Sequence, residues 1–202
     1  MRSIKTTPSK TSKFKSLSRD TLCYLGGFLD GDGSIGAQIQ FAKDRKDKFA
    51  IRVSIGFHQH KNRAWFLHWI GKILGTGSMS KTKSSKWDWT IYSDNDVKDL
   101  LIVLLPHLRI KRKLAQLVID IVNSKKSMKN RADLIKVMKK VDETAFHTYS
   151  KIRIWTSLTV VNYWETGIRP EPRRSLARRN KKHGILTPCR DLVLKVLFIQ
   201  SF

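Results

Sequence analysis

The sequence has few acidic residues, few cysteines and no long apolar run. Only 16 of its 202 residues are Asp or Glu, against 40 Lys and Arg, so the formal charge is +24. Its two cysteines, Cys23 and Cys189, are too few for a disulfide framework or a cysteine-based zinc site, so we expect a reducing compartment. No apolar run approaches the roughly 20 residues that span a bilayer, so we expect no membrane partner.

The basic excess is divided between a central region and two ends. Residues 1–19 hold six basic residues and no acid, and residues 169–202 hold nine basic residues and two acids. We predict a basic flexible arm at 1–19, a folded domain at 20–168 and a basic tail with a short apolar end at 169–202. A transit peptide is an alternative for the first segment. A charge of this size favours a polyanionic partner, most commonly nucleic acid.

The hydrophobic periods within 20–168 predict an α+β domain. A helical period over Leu22 to Leu29 ends in the Gly31-Asp32-Gly33 turn, and two alternating segments, 35–41 and 49–57, then predict a long hairpin. The remaining pattern predicts a helix at 62–74, a second strand pair near 77–83 and 87–91, and helices at 94–105, 112–123, 129–143 and 152–164. Trp65, Trp69, Trp87 and Trp89 fall on the apolar faces and are expected in the core.

The segment from Tyr24 to Ser34 combines an apolar helix, adjacent glycines and a DGDG turn. Each helical glycine costs about 1 kcal/mol relative to alanine, and close approach of a second backbone would offset that cost. Two such helices in contact would bring their terminal carboxylates together, so Asp32 is a candidate ligand for a hard divalent metal. An EF-hand loop is excluded because its sixth and twelfth positions would be Ile35 and Phe41. Simple turn residues remain the alternative.

This segment resembles the LAGLIDADG motif. Five of its residues match named letters of the motif, namely Leu25, Gly27, Asp30, Asp32 and Gly33. Small glycines stand at the two alanine positions, 26 and 31, and apolar residues stand at 28 and 29. Since the motif occurs once, the chain is similar to the single-motif, homodimeric homing endonucleases that are encoded in group I introns of algal organelles. The similarity runs from about Leu22 to the helix at 129–143.

The resemblance implies an αββαββα core with an antiparallel, saddle-shaped sheet on the DNA major groove and the motif helix at a dimer interface. On this sequence the implied interface residues are Leu25, Gly26, Phe28 and Leu29. Asp32 and the Gly31 carbonyl are the implied ligands of Mg2+, whereas Asp30 matches the position that caps the helix end. The implied catalytic residues are Asp32, Gln59, Arg63 and Lys111. Their chemistry suits phosphodiester hydrolysis, which needs an oriented water and cations near the developing charge.

Base contacts are expected from the polar faces of the strands, because a β-ribbon fits the major groove. The candidates are Gln38, Gln40, Arg52, Ser54 and His58 in the first hairpin, and Ser80, Thr82, Asp88 and Thr90 in the second. Phosphate contacts are expected from Lys43, Arg45, Lys46, Lys48, Lys81, Lys83, Arg109, Arg112 and Lys113. His58 and His60 form a His-x-His pair, but no other soft ligand is near them in sequence, so a transition-metal site is not favoured.

The resulting hypothesis is a homodimeric, Mg2+-dependent endonuclease that cuts a long pseudo-palindromic DNA site and leaves 3′ overhangs. Its biological role would be group I intron homing in an organelle, the chloroplast in preference to the mitochondrion. An RNA maturase, with the host intron RNA as partner, is the alternative. A basic ribosome- or chromatin-associated protein explains the charge but not the motif helix.

Overall fold

The computed structural model describes residues 14–82, 85–148 and 153–170. The described part of the chain contains six α-helices and four β-strands, in the order that the hydrophobic periods predicted. They are α1 (Arg19–Gly31), β1 (Gly33–Phe41), β2 (Phe49–His60), α2 (Ala64–Leu74), β3 (Ser78–Lys81), β4 (Lys86–Ile91), α3 (Asp94–Leu104), α4 (Arg112–Ser127), α5 (Arg131–Glu143) and α6 (Ser157–Thr166). No helix in these ranges is long and apolar enough to cross a membrane.

The four strands form one antiparallel sheet in the order β1-β2-β4-β3. Gly56 on β2 lies opposite Ser34 on β1 and Thr90 on β4, so the even-numbered residues of these three strands share a face. The odd-numbered residues from 35 to 39 on β1 and from 49 to 57 on β2 face the core, and Val53, Ile55 and Phe57 have no exposed surface. The predicted division into an apolar and a polar face is thus confirmed.

Helix α1 begins and ends where its local chemistry dictates. The Ser18 hydroxyl caps its amino end by accepting a hydrogen bond from the Thr21 amide. At the other end the helix passes directly into β1, and a Cβ at Gly33 would lie 2.7 Å from the Leu29 Cα. Gly33 is therefore needed for this close helix-to-strand junction, which fixes Asp32 between α1 and β1.

The folded domain begins before the predicted boundary. Phe14 is only 1% exposed within the core, and Arg19 already belongs to α1, so assigning all of 1–19 to an arm was wrong. Residues 1–13 lie outside the described residues. At the other end, the Arg169 guanidinium lies 4.2 Å from the centre of the Phe41 ring, and the rest of the predicted tail, 171–202, is also outside the described ranges.

Two of the four tryptophans that were predicted to lie in the core do not lie there. Trp87 and Trp89 are partly buried against the core, as expected. Trp65 is 69% exposed and Trp69 is 37% exposed, so placing them in the core was wrong. Both lie on α2 near Tyr24 of α1, which is also exposed and whose ring contacts Trp69 edge-on at 5.9 Å. The apolar face of α2 therefore includes side chains that no other part of the described chain fully covers.

Candidate functional site

The carboxylate of Asp30 fixes the segment that leads into α4. It accepts hydrogen bonds from the backbone amides of Arg109 (2.6 Å), Ile110 (3.1 Å) and Lys111 (2.9 Å). Partial burial raises the pKa of Asp30, but these three amides and the Lys111 charge outweigh that effect and hold the pKa below its ordinary value. Asp30 therefore has a structural role, as the motif implied. Its carboxylate binds the segment that precedes α4 and does not cap its own helix.

Lys111 caps the carboxyl end of α1. Its Nζ donates to the backbone carbonyls of Leu29 (2.7 Å), Asp30 (2.7 Å) and Gly31 (3.4 Å). A cation is favourable there because unpaired carbonyls and the helix dipole concentrate negative charge. Burial lowers the pKa of Lys111 below its ordinary value, although the nearby carboxylates of Asp30 and Asp32 oppose that change. One predicted catalytic residue is thus held beside both predicted metal ligands.

Asp32 has a different environment from Asp30. It is the C-cap residue of α1, and it is exposed. Asp32 and Gln59 line an open groove of about 520 Å³, together with His58, His60, Thr82, Lys86 and Asp88. Arg63 is exposed in the short 3-10 turn Lys61–Arg63 that follows β2. The fold therefore brings Asp32 together with Gln59 and Lys111, while Arg63 extends from the element directly after Gln59.

The oxygen donors at the end of α1 suit a hard cation. Asp32 offers an exposed carboxylate and Gly31 a backbone carbonyl, which are the ligand types that Mg2+ prefers. Within the described ranges, no three His, Cys, Asp or Glu side chains lie close enough to hold a metal among themselves. Mg2+ commonly uses only one or two carboxylates and takes its other ligands from water and phosphate. The residues present therefore fit a Mg2+ site that substrate completes.

The predicted base-contacting residues lie together on the polar face of the sheet. Strand register places Gln38 opposite Arg52 and Ser80 opposite Asp88. The same face carries Gln40, Ser54, Thr90 and, just beyond β3, Thr82. Arg52 is exposed, and its guanidinium lies 4.9 Å from the centre of the Tyr92 ring, an arrangement that favours one orientation of the side chain.

Two of the predicted base-contacting residues, His58 and Asp88, are hydrogen-bonded to each other. His58 Nδ1 lies 2.8 Å from an Asp88 carboxylate oxygen, and His58 Nε2 lies 2.8 Å from the Ser34 hydroxyl. Both ring nitrogens are therefore engaged within the chain. This arrangement also opposes a His-x-His metal site, because such a site would need a free nitrogen of His58.

The predicted phosphate-contacting residues occupy two regions. The first is the exposed loop between β1 and β2, which carries Lys43, Arg45, Lys46 and Lys48. It is held at Asp47, whose carboxylate accepts from Arg131 Nε at 3.1 Å and whose carbonyl accepts from the Trp164 indole at 2.9 Å. The second region is the start of α4, where Arg109, Arg112 and Lys113 are exposed. Lys81 is exposed on β3, and Lys83 lies outside the described residues.

The predicted interface residues of α1 need correction. Leu25 and Leu29 have no exposed surface, because they pack into the core of their own chain. Gly26 is buried against the turn at His107, where an added Cβ would lie 2.7 Å from the His107 Cβ. Phe28 is half-buried against Phe57 and Phe66. The exposed side of α1 is instead formed by Asp20, Cys23, Tyr24, Gly27 and Gly31.

Three residues of the polar face were missing from the predicted set. Ser34 and Lys86 share the alternation of Gln38 and Asp88, so their positions were available from the same period. Tyr92 continues the even-numbered positions of β4, but its contact with Arg52 depends on strand pairing across the sheet. No local pattern in the sequence indicates that pairing.

Comparison with known proteins identifies the family to which the chain belongs. Residues 25–126 match the family model described as LAGLIDADG endonuclease. The chain is 34% identical over 144 residues to the DNA endonuclease I-CreI of Chlamydomonas reinhardtii, a match that covers 71% of this chain and 88% of that protein. It is 32% identical over 130 residues to the DNA endonuclease I-CvuI of Chlorella vulgaris, with 64% and 81% covered.

A solved structure shows that the similarity extends to the fold. I-CvuI, in complex with its DNA target in the presence of calcium, aligns with a TM-score of 0.69 at 29% identity over 73% of this chain and 94% of that one. The fold and site together define a DNA-cleaving enzyme. The chain belongs to the LAGLIDADG endonuclease family and is a single-motif homing endonuclease that hydrolyses DNA phosphodiester bonds.

Proposed function

We propose that the protein acts as a homodimeric, Mg2+-dependent enzyme that makes a double-strand break in a long pseudo-palindromic DNA site. The observation that carries this proposal is the position of Asp32. It is an exposed carboxylate at the end of the motif helix, on a groove shared with Gln59 and continuous with the polar face of the sheet. Relatives that share the motif are DNA endonucleases.

Each catalytic candidate has a role that its position supports. When bound at Asp32 and the Gly31 carbonyl, Mg2+ would supply Lewis-acid activation of the scissile phosphate. Gln59 orients water in the groove through its amide. Lys111 stabilises the negative charge that develops on the phosphate, and the exposed Arg63 adds a second cation from the neighbouring turn.

A second copy of the chain completes the enzyme. The exposed side of α1 carries Gly27, where an added Cβ would meet nothing within 4 Å in this chain. Next to it lie the exposed rings of Tyr24, Trp65 and Trp69. A large exposed apolar patch marks an interaction surface, and a glycine at its centre permits close helix packing. We assign the interface to these residues, so that two Asp32 sites face one duplex.

The DNA role follows from the charge and the sheet. A two-stranded ribbon fits the major groove, and the exposed loop cations at the end of the β1–β2 hairpin suit phosphate contacts. Two symmetry-related copies require a pseudo-palindromic site, with one strand cut by each Asp32-centred site. We further propose 3′ overhangs and group I intron homing in an organelle, the chloroplast in preference to the mitochondrion. The algal sources of the relatives support an organelle.

A cleavage selection tests the proposal. A pool of duplexes with randomised bases is incubated with the full chain and Mg2+, and the cut ends are captured and sequenced. We expect one enriched pseudo-palindromic sequence with 3′ overhangs, and no enrichment with the Asp32→Asn variant. Enrichment that survives in Asp32→Asn, or persists without divalent metal, would refute the assigned site.

The RNA maturase alternative has no separate support. Both relatives described above are named DNA endonucleases, and the carboxylate that a maturase would not need is exposed at the groove. Cleavage is therefore the function that we retain.

A further inference from the structure

Three side chains on three elements form a continuous hydrogen-bonded chain across the polar face of the sheet. Ser34 comes from β1, His58 from β2 and Asp88 from β4, with 2.8 Å between Ser34 Oγ and His58 Nε2 and 2.8 Å between His58 Nδ1 and Asp88 Oδ1. Because the Asp88 carboxylate only accepts, Nδ1 must carry the proton in this bond. The contact with Asp88 thus fixes the ring orientation, and His58 Nε2 is directed at Ser34.

Gly56 is the position that lets this network form. It lies opposite Ser34 in the sheet, and an added Cβ would be 2.6 Å from Ser34 Oγ and 3.0 Å from His58 Cε1. The imidazole therefore occupies the space that any side chain at position 56 would fill. A glycine within a strand is otherwise unfavourable, and the network provides the reason for this one.

The network lies at the end of the sheet that carries the proposed cleavage site. His58 and Asp88 line the same groove as Asp32, and Ser34 follows Asp32 by two residues. Gln40 lies six residues further along β1, about 20 Å away at the usual strand rise. Since base pairs in B-DNA rise about 3.4 Å each along a strand, the network faces base pairs near the cut and Gln40 faces the outer ones.

We propose that Ser34, His58 and Asp88 act as one specificity-determining unit, in which the Ser34 hydroxyl contacts the base pair nearest the cut and His58 and Asp88 are positioning residues. The proposal rests on the proposed function, because it assumes DNA on this face. A carboxylate alone on the groove face would repel phosphate and could accept only from base amino groups such as that of cytosine. Bonding to His58 engages Asp88 Oδ1 within the chain, and the exposed Ser34 is the polar end of the unit that is most open to a base.

A pair of glycine substitutions tests the unit without removing any of its polar groups. Gly56→Ala places a Cβ against Ser34 and His58. Gly36→Ala, on the same face, places its Cβ 3.5 Å from the nearest atom, Ser54 Oγ, and serves as the matched control. The base preference of each full-length variant is measured by sequencing duplexes selected from a randomised pool, once for binding with Ca2+ and once for cutting with Mg2+.

We expect Gly56→Ala, Ser34→Ala and Asp88→Asn to change base frequencies at the same base pairs next to the cut, by about fivefold for loss of one such hydrogen bond. The Ser34→Ala/Asp88→Asn double variant should change them no more than either single variant, because the residues act together. Gly36→Ala should leave those base pairs unchanged, and Gln38→Ala should alter positions further from the cut. Ser34 is exposed, so its variant separates specificity from folding.

Several outcomes would contradict the proposal that the three residues act as one unit. Additive effects of Ser34→Ala and Asp88→Asn would show that the residues contact DNA separately, and an unchanged profile in Ser34→Ala would remove its base contact. If the unmodified protein selects a sequence for binding but does not cut it, the proposed function fails while the specificity test still gives its answer. If it selects no sequence at all, both proposals are refuted.

Discussion

Asp30 and Asp32 show how two carboxylates two residues apart acquire different roles. Asp30 accepts three backbone hydrogen bonds from residues 109–111, whereas Asp32 is exposed at the groove. A carboxylate whose acceptor sites are filled by amides stabilises the fold, and one that is left exposed is available to a cation. The difference comes from helical geometry, which points the two side chains in different directions.

The Asp30 bonds predict a pH-dependent loss of stability in Asp30→Asn. Because the pKa of Asp30 is lowered in the folded state, its contribution is complete above the unfolded pKa of about 3.9 and is lost as pH falls through the folded pKa. At neutral pH the variant should lose about 2 kcal/mol of unfolding free energy. Urea unfolding from pH 7 to pH 3 should show this difference shrink below about pH 4. A difference that stays constant with pH would contradict the assignment.

The roles of single residues were predictable to different extents. The motif helix with its terminal carboxylate made Asp32 a candidate metal ligand, and the resemblance to the LAGLIDADG motif assigned Asp30 to a helix cap, because residue types and spacing are local features. The contacts of Lys111 with the α1 carbonyls join residues about 80 positions apart, and no pattern near either residue indicates them. The Ser34–His58–Asp88 network was missed for the same reason.

At the scale of elements, α1 has two different glycine-bearing sides. Gly26 faces the turn at His107 in its own chain, and Gly27 faces open space. The sequence predicted that adjacent glycines mark a close contact, but helical phase relative to the core decides which contact each one makes. One glycine serves the fold, and the other is available to a second copy.

These two glycines predict opposite results. Gly26→Ala should lower the unfolding free energy by about 1 to 3 kcal/mol, because its Cβ would meet the His107 Cβ and carbonyl. Gly27→Leu should keep or raise the stability of the single chain, since leucine favours helix, while it separates the dimer. Thermal melting and sedimentation equilibrium measure the two effects. A dimer that persists in Gly27→Leu would place the interface elsewhere.

Helix α6 holds the loop that carries the predicted phosphate contacts. Trp164 donates to the Asp47 carbonyl, its ring lies 4.5 Å from the Arg131 guanidinium, and Trp155 and Tyr163 pack on Phe41 and Phe49 at the base of the loop. The hydrophobic pattern of the sequence predicted a helix at 152–164. Its partner could not be predicted, since the contact joins segments 117 residues apart.

Trp164→Phe should loosen the 42–48 loop. The variant keeps an aromatic ring but loses the indole donor, which should cost about 1 kcal/mol and raise the hydrogen-exchange rate of the loop amides. Tyr163→Phe is the control, because it retains the ring that packs on Phe49. Equal exchange rates in the 42–48 loop for both variants would show that the Trp164 bond does not hold the loop.

At the scale of the whole molecule, the charge of +24 has two parts. The folded domain carries its share of the positive charge on the polar face of the sheet and at the tips of the loops. The remainder lies at the chain ends, where we expect it to add affinity through phosphates, which carry no sequence information. The core position of Phe14 means that a deletion at the amino end must stop at residue 13 to leave the fold intact.

Removal of residues 171–202 should weaken DNA binding without changing the sequence that is cut. The deletion takes away eight basic and two acidic residues. For every DNA phosphate that the shortened protein no longer neutralises, the slope of log affinity against log salt should become shallower by about 0.9. Binding titrations over a range of salt, together with the cleavage selection, measure both properties. A different enriched sequence would show that this segment contacts bases.

The most direct test of the account compares Asp32→Asn with Asp30→Asn in one cleavage assay on a selected duplex with Mg2+. We predict that Asp32→Asn binds the duplex and melts like the unmodified protein but does not cut it. Asp30→Asn should melt at a lower temperature and still cut below that temperature, because its side chain supports the fold. Cutting by Asp32→Asn would contradict the assignment of the catalytic metal site.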